Sequence, residues 1–249
     1  MKKEWYDTDT FWLEFAPYMF NSQRWSLARW ETDKIIELLE LSPGDSLLDS
    51  CCGVGRHAIP FAEKGLLVTG VDLTLPYLEA AKGTAENTGL RIEFINEDIR
   101  RFVRKHSFNA AINMFTSFGY FSDPQEEQLY LENIYQSLKP GGCFIIDTMG
   151  KEILAKVFTQ NEWYKDDDAY VLAEYTILEN WTKLENHWII VKEDSKYEVR
   201  FSHFLYSAQE ITGMLKAAGF SAVEIYGSLD RIPYDDKAKR LIAIGRKDK

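Results

Sequence analysis

The chain has 249 residues, 45% of them hydrophobic and 27% charged, which suits one folded domain with or without an insertion and excludes disorder. No apolar run approaches the ~18 residues of a membrane span, and a formal net charge of -10 without a Lys/Arg-rich run disfavours nucleic acid as a partner. Cys51, Cys52 and Cys143 contain no CxxC pair, so neither a disulfide framework nor a metal cluster is expected.

Met1–Asp7 has two lysines, then acids, and no apolar stretch of a leader, so the expected compartment is cytoplasmic. The first 30 residues hold nine aromatics, from Trp5 to Trp30. Apolar residues at helical spacing predict a helix over 33–41, and Ser42-Pro43-Gly44-Asp45 a turn. A short buried strand is expected over 46–50, followed by a helix opening at Gly53 and closing near Lys64-Gly65. The alternation continues with strands over 67–71, 91–95, 110–114 and 143–147. Helices over 75–86 and 126–138 fall between them. Strands alternating with helices predict right-handed βαβ units, a mainly parallel doubly wound sheet and a ligand at the carboxyl ends of its strands. Residues 150–206 break this rhythm. Strand-like segments over 169–180, 187–193 and 197–205 predict an antiparallel insertion, with Asp166-Asp167-Asp168 as a solvated acidic run. Ser207-Ala208-Gln209-Glu210 is a capping box for a helix ending at Gly219, and strands over 220–226 and 240–245 close the chain. The expected organisation is a core of 1–149 with 207–249, and an inserted unit of 150–206.

Three strand ends carry the chemical signal. Leu47 to Arg56 reads as strand, glycine-containing turn and helix start, where small residues let backbone N–H groups approach a ligand; a tight turn without a ligand is the competing reading. Asp72, 19 residues beyond Gly53, can accept hydrogen bonds from ribose hydroxyls or cap the following helix. Asp98, after the third strand and beside Ile99, is either an adenine contact or a surface carboxylate.

The set Leu48 to Gly55, Val71-Asp72, Glu97-Asp98 and Leu138-Lys139-Pro140-Gly141-Gly142 resembles the class I S-adenosylmethionine-dependent methyltransferases. The resemblance covers about residues 33–147. It implies a seven-stranded Rossmann-like sheet with S-adenosyl-L-methionine as cofactor. The methionine part would lie against Asp49, Ser50, Cys51, Gly53 and Gly55, the ribose at Asp72 with Leu73, and adenine at Asp98 with Ile99. Cys51 stands where that family usually has glycine. Asn113 to Phe121 is similar to the fourth-strand segment of bacterial small-molecule methyltransferases and puts Asn113 at the cofactor; an antiparallel insertion over the active site is also found there. What the resemblance implies is transfer of the sulfonium methyl to an amine or hydroxyl of a small molecule by direct displacement. The chain would act as monomer or homodimer. An NAD-dependent oxidoreductase shares the glycine turn and Asp72 but prefers G-x-G-x-x-G; a non-catalytic S-adenosylmethionine-binding protein is the alternative outside enzymology.

For catalysis the sequence offers His203, alternating with Phe201 and Leu205 on a strand of the insertion, and Tyr120, past the fourth strand. His203 is a base or hydrogen-bond partner if it faces the cleft, and a satisfied structural histidine otherwise. The N-terminal aromatics form either a lid over the cofactor or the packed face of a helix. His57, Arg231 and Arg240 are weaker candidates, with helix packing or solvation as the alternatives.

Overall fold

A computed structural model describes residues 4–166 and 168–249; residues 1–3 of the N-terminal segment and the middle of the 166–168 acidic run lie outside them. After a 3-10 turn at Trp5–Asp7 come α1 (Asp9–Met19) and α2 (Ser22–Leu39). The core then runs β1 (Ser46–Ser50), α3 (Ala58–Glu63), β2 (Leu67–Asp72), α4 (Leu75–Asn87), β3 (Glu93–Asn96), β4 (Phe108–Asn113), α5 (Pro124–Ser137) and β5 (Leu138–Thr148). A short α6 (Lys151–Val157) leads into β6 (Asn161–Asp166), β7 (Ala169–Leu178), β8 (Lys183–Val191) and β9 (Lys196–Phe204). The chain returns through α7 (Ala208–Ala218), β10 (Ala222–Tyr226) and β11 (Leu241–Arg246).

Seven strands form one sheet in the order β10-β11-β5-β4-β1-β2-β3. Pairing is parallel from β5 through β3, and β11 is antiparallel to both β5 and β10. Successive side chains of a strand point to opposite faces, and here both faces are covered. Leu47, Ile112, Ile145 and Ile244 pack under helices α2, α3 and α4. Their neighbours Leu48, Ala111, Ile146 and Ala243 pack against α5 and α7. Burial on both faces explains why these strands read as continuous apolar runs.

The second sheet is antiparallel, in the order β6-β7-β8-β9. Phe11, Phe15 and Tyr18 of α1 pack against its Val171, Ile190 and Phe201. The apolar face of α1 thus packs against the insertion, while Trp12 and Phe20 also meet Tyr77 of α4.

Several boundaries differ from expectation, for local reasons. Residues 53–57 are turns rather than helix, because Cys51, Gly53 and Gly55 take left-handed backbone (φ 63°, 55° and 77°) and α3 can start only at Ala58. The helix expected over 33–41 begins at Ser22, capped by Asn21, whose side chain accepts Arg24 N–H. The strand expected from Arg91 starts at Glu93. β6, with its mostly exposed Asn-Glu-Trp-Tyr-Lys-Asp pattern, and α6 are additions to the expected elements. No helix among the described residues is long and apolar enough to cross a membrane.

Candidate active site

A cleft of about 460 Å³ opens where the carboxyl ends of β1, β2 and β4 meet the second sheet and α1. The turn after β1 and the end of β2 are tied into one unit. Cys51 and Cys52 N–H groups both donate to the Val71 carbonyl (2.8 and 3.1 Å). Gly53 N–H donates to Asp72 Oδ2 at 2.7 Å, and Thr74 N–H to Asp72 Oδ1 at 2.9 Å. Asp72 therefore holds the glycine turn as well as lining the cleft. Burial raises its pKa in spite of these amides. Cys51 adopts the left-handed conformation that glycine takes at lower steric cost, so the departure from glycine noted in the sequence leaves the turn geometry in place.

Asp49 lines the cleft, with its carboxylate buried and Oδ2 lacking any hydrogen-bond partner among the described residues. Burial, then the nearby Asp72 charge, pushes its pKa up to about 7. An unpartnered buried carboxylate oxygen is costly, and a ligand ammonium would satisfy it. On the β3 side, Asp98 is clamped by Arg100, whose Nε lies 3.0 Å from both carboxylate oxygens and whose Nη2 lies 2.6 Å from Oδ2. That pairing outweighs burial and lowers the Asp98 pKa. Leu73, Asp98 and Ile99 all line the cleft.

Of the twelve residues that the sequence assigns to cofactor or catalysis, nine line this cleft: Asp49, Cys51, Gly53, Asp72, Leu73, Asp98, Ile99, Tyr120 and His203; the weaker candidate His57 lines it as well, and Arg231 and Arg240 do not. Ser50, Gly55 and Asn113 lie behind it. Ser50 Oγ bonds the Ile112 carbonyl (2.6 Å) and the Tyr130 hydroxyl (2.7 Å), and Asn113 Nδ2 donates to that same hydroxyl (3.1 Å). Both side chains thus serve an interior polar cluster between β1, β4 and α5. A Cβ on Gly55 would stand 3.2 Å from Ala81 and 3.4 Å from Phe94, so this glycine permits α4 to pack closely instead of facing the cleft.

His203 and Tyr120 meet edge to face, with ring centroids 6.1 Å apart. Asn186 Nδ2 lies 3.1 Å from His203 Nδ1 and also donates to the Leu184 carbonyl at 3.3 Å. With the amide nitrogen directed at Nδ1, the ring nitrogen there accepts and the imidazole proton resides on Nε2. Burial lowers the His203 pKa to about 4, so the ring is neutral at neutral pH. Burial raises the Tyr120 phenol.

Most of the roof lies beyond the residues that the sequence points to. Glu162 and Tyr164, Ala173 and Tyr175, and Asn186 and Trp188 line the cleft from alternate positions of β6, β7 and β8. Period-two spacing was the available signal; it identifies one face of the insertion without saying what that face covers. Also missed was a buried ionic group. Glu31 of α2 takes Arg56 Nη1 at 3.2 Å and His57 Nε2 at 2.8 Å on one oxygen, and Arg240 Nη1 at 2.8 Å on the other. Arg240 also pairs with Asp147 at the end of β5. Burial opposes ionisation of Glu31, but the His57 bond and the arginine charges bring its pKa down to about 2.

The comparisons agree with this geometry. Residues 47–142 match the family model described as a methyltransferase domain. A protein of Geobacillus sp. (strain WCH70), provisionally named a methyltransferase, is 25% identical over 81% of this chain and 84% of its own. An S-adenosylmethionine-dependent methyltransferase from Clostridium acetobutylicum superposes with a TM-score of 0.79 at 19% identity, covering 97% of this chain and 99% of that one. An amino pentose methyltransferase from Micromonospora echinaspora, solved with S-adenosylmethionine bound, gives a TM-score of 0.68 at 19% identity, with 94% and 96% covered. The matched segment runs from β1 to the Gly141-Gly142 turn and contains the floor of the cleft, and over that segment the chain carries a methyltransferase domain.

Proposed function

We propose that the chain moves the sulfonium methyl of S-adenosylmethionine to an amine, or second to a hydroxyl, of a small molecule held between the parallel sheet and the inserted sheet. One observation carries this reading: the cleft is walled on one side by the strand ends of the core and on the other by alternate side chains of β6–β9, a bounded space rather than an open surface. The amino pentose methyltransferase of similar fold supports an amine acceptor. In this reading residues 1–149 with 207–249 form the cofactor-binding core, and 150–206 cover the acceptor.

The cofactor supplies a good leaving group and an electrophilic methyl. Asp72 accepts from the ribose hydroxyls, Asp98 and Ile99 flank the adenine, and Asp49 takes the methionine ammonium at its unpartnered oxygen. The work left to the protein is alignment and exclusion of water, for which well-oriented reactants gain up to about 7–11 kcal/mol. His203 presents Nε2–H and is already neutral, so its part is to orient the acceptor as a hydrogen-bond donor, with Tyr120 packed against it. A neutral amine attacks through its lone pair and sheds its proton afterwards, so it asks for no strong base in the cleft; this favours nitrogen over oxygen.

Purified protein with methyl-labelled S-adenosylmethionine, offered panels of amino sugars, small amines, hydroxyl compounds, RNA and protein, tests the assignment. Label on a small amine is the expected result. Label confined to RNA or protein would overturn it.

A further inference from the structure

The charges in the cleft are divided by position. Its strand-end side at β2 and β3 carries Asp72, Glu97 and Asp98, whereas Arg24 and Arg56 line it beside Phe115, in the segment after β4. Arg56 is compensated. Glu31 and Asp147 balance Arg56 and Arg240 in the buried ionic group, and burial keeps His57 from carrying a further charge by lowering its pKa. Arg24 is the surplus cation. Its Nη1 donates to the Met19 carbonyl at 2.9 Å, and no carboxylate among the described residues pairs with it. Glu162, the acidic side chain that β6 contributes to the cleft, is engaged by the Tyr175 hydroxyl.

A second feature marks the same place. Phe115 and Thr116 are consecutive non-glycine residues in left-handed backbone (φ 62° and 60°). Asp147 holds them there: Phe115 N–H donates to its Oδ2 at 3.2 Å and Thr116 N–H to its carbonyl at 3.0 Å. Conformations of this kind cost free energy and persist where their surroundings fix them. The result is that the Phe115 ring supports both guanidiniums, with Arg24 4.5 Å and Arg56 4.9 Å from its centroid. Cation–π support fixes an arginine without consuming its hydrogen-bond donors.

We infer that Arg24, supported on Phe115 beside Arg56, is an oxyanion subsite at the acceptor end of the cleft, so that the molecule methylated carries a carboxylate or phosphate in addition to its acceptor atom. In a chain of net charge -10, whose cleft is acidic at its other end, this is the position where an anion is stabilised. The inference rests on the methyl-transfer reading above. The methionine carboxylate of the cofactor is the competing claimant for the same guanidinium.

Binding measurements on protein saturated with S-adenosylhomocysteine separate these sources, because any cofactor carboxylate subsite is then already filled. Inorganic phosphate and acetate are titrated in turn by calorimetry, against chloride at equal ionic strength, into wild type, Arg24→Gln and Arg24→Lys. The expected result is saturable binding of at least one of the two anions, weakened about tenfold in Arg24→Gln and partly restored in Arg24→Lys, with S-adenosylhomocysteine affinity changed less than about twofold. Phosphate alone, or both anions, then assigns the class. Absent or equal anion binding in wild type and Arg24→Gln would overturn the subsite. So would a tenfold loss of S-adenosylhomocysteine affinity in Arg24→Gln, which would give the arginine to the cofactor. No turnover is read, so a failed acceptor panel and a failed subsite remain distinguishable.

Discussion

Asp72 and His203 face one cleft from opposite sides and are held there by different means. Asp72 sits at the end of a buried parallel strand and is fixed by two main-chain amides. His203 projects from an antiparallel strand and is oriented by a single side-chain amide, that of Asn186. The floor of the cleft thus derives its geometry from backbone that the fold itself imposes. The roof derives it from side chains at every second position of a ladder that tolerates other side chains there. A site divided this way can keep one cofactor while its acceptor changes, and substitutions on the two sides separate binding from turnover.

The largest effect is expected on the floor. Asp72→Ala removes both the carboxylate assigned to the ribose and the acceptor that anchors Gly53 and Thr74 N–H groups. Charge-assisted hydrogen bonds are worth roughly 1.5–3 kcal/mol each, so affinity for S-adenosylhomocysteine should fall at least tenfold while the protein stays folded. Calorimetric titration with a circular-dichroism melt checks both statements. Unchanged affinity would take the ribose away from Asp72 and break the division between floor and roof at its strongest point.

Asp49 sharpens the same comparison through pH. Its folded carboxyl titrates at about 7 in the ligand-free protein, and only the ionised form attracts an ammonium. As pH falls from 8 to 6, protonation should cost close to tenfold in S-adenosylhomocysteine affinity by the end of that range. Asp49→Asn should bind weakly and with a flatter profile. A variant that keeps the wild-type slope would place the titrating group elsewhere.

On the roof the expected signature is reversed. His203→Ala should lower kcat by about tenfold on the identified acceptor and leave S-adenosylhomocysteine affinity within about twofold. Because the ring titrates at about 4, it contributes no inflection to the rate between pH 6 and 8. Equal small changes in both quantities would return His203 to a structural role.

How much of this was legible follows from the same division. β1, β2, β4 and β5 are buried runs whose partners are fixed by pairing, so Leu47, Ile112 and Ile145 announce themselves by composition, and Asp72 by its place at a strand end. Ser50 and Asn113 also stand at strand ends. Their side chains turn inward to Tyr130, and a residue 80 positions away from Ser50 decides this. Pattern alone cannot supply that information. β6 escaped notice because five of its six residues are exposed, leaving no apolar alternation to read. Arg24 carries no signal in the sequence for a further reason: its significance is the absence of a carboxylate partner among the described residues, which only tertiary structure reveals.

The smallest expected effect lies where floor and roof touch. Glu127 of α5 is buried, and its Oε1 accepts Gly119 N–H at 2.9 Å and Phe121 N–H at 3.2 Å, on either side of Tyr120. The Gly119 carbonyl in turn accepts Phe204 N–H at 2.7 Å, next to His203. Burial pushes the Glu127 pKa up to about 8 in spite of the two amides. From an ordinary value of 4.5, the unfolded carboxyl loses its proton well before the folded one does. The unfolded state therefore binds fewer protons across that interval, and wild-type stability declines as pH rises through it. Glu127→Gln retains a carbonyl oxygen for the two amides and has no proton to lose. Its melting temperature relative to wild type should climb between pH 5 and 8 and level off above, with kcat changed only a fewfold. A difference constant with pH would mean that the carboxyl is ionised throughout and that charge, rather than shape, keeps Tyr120 against His203.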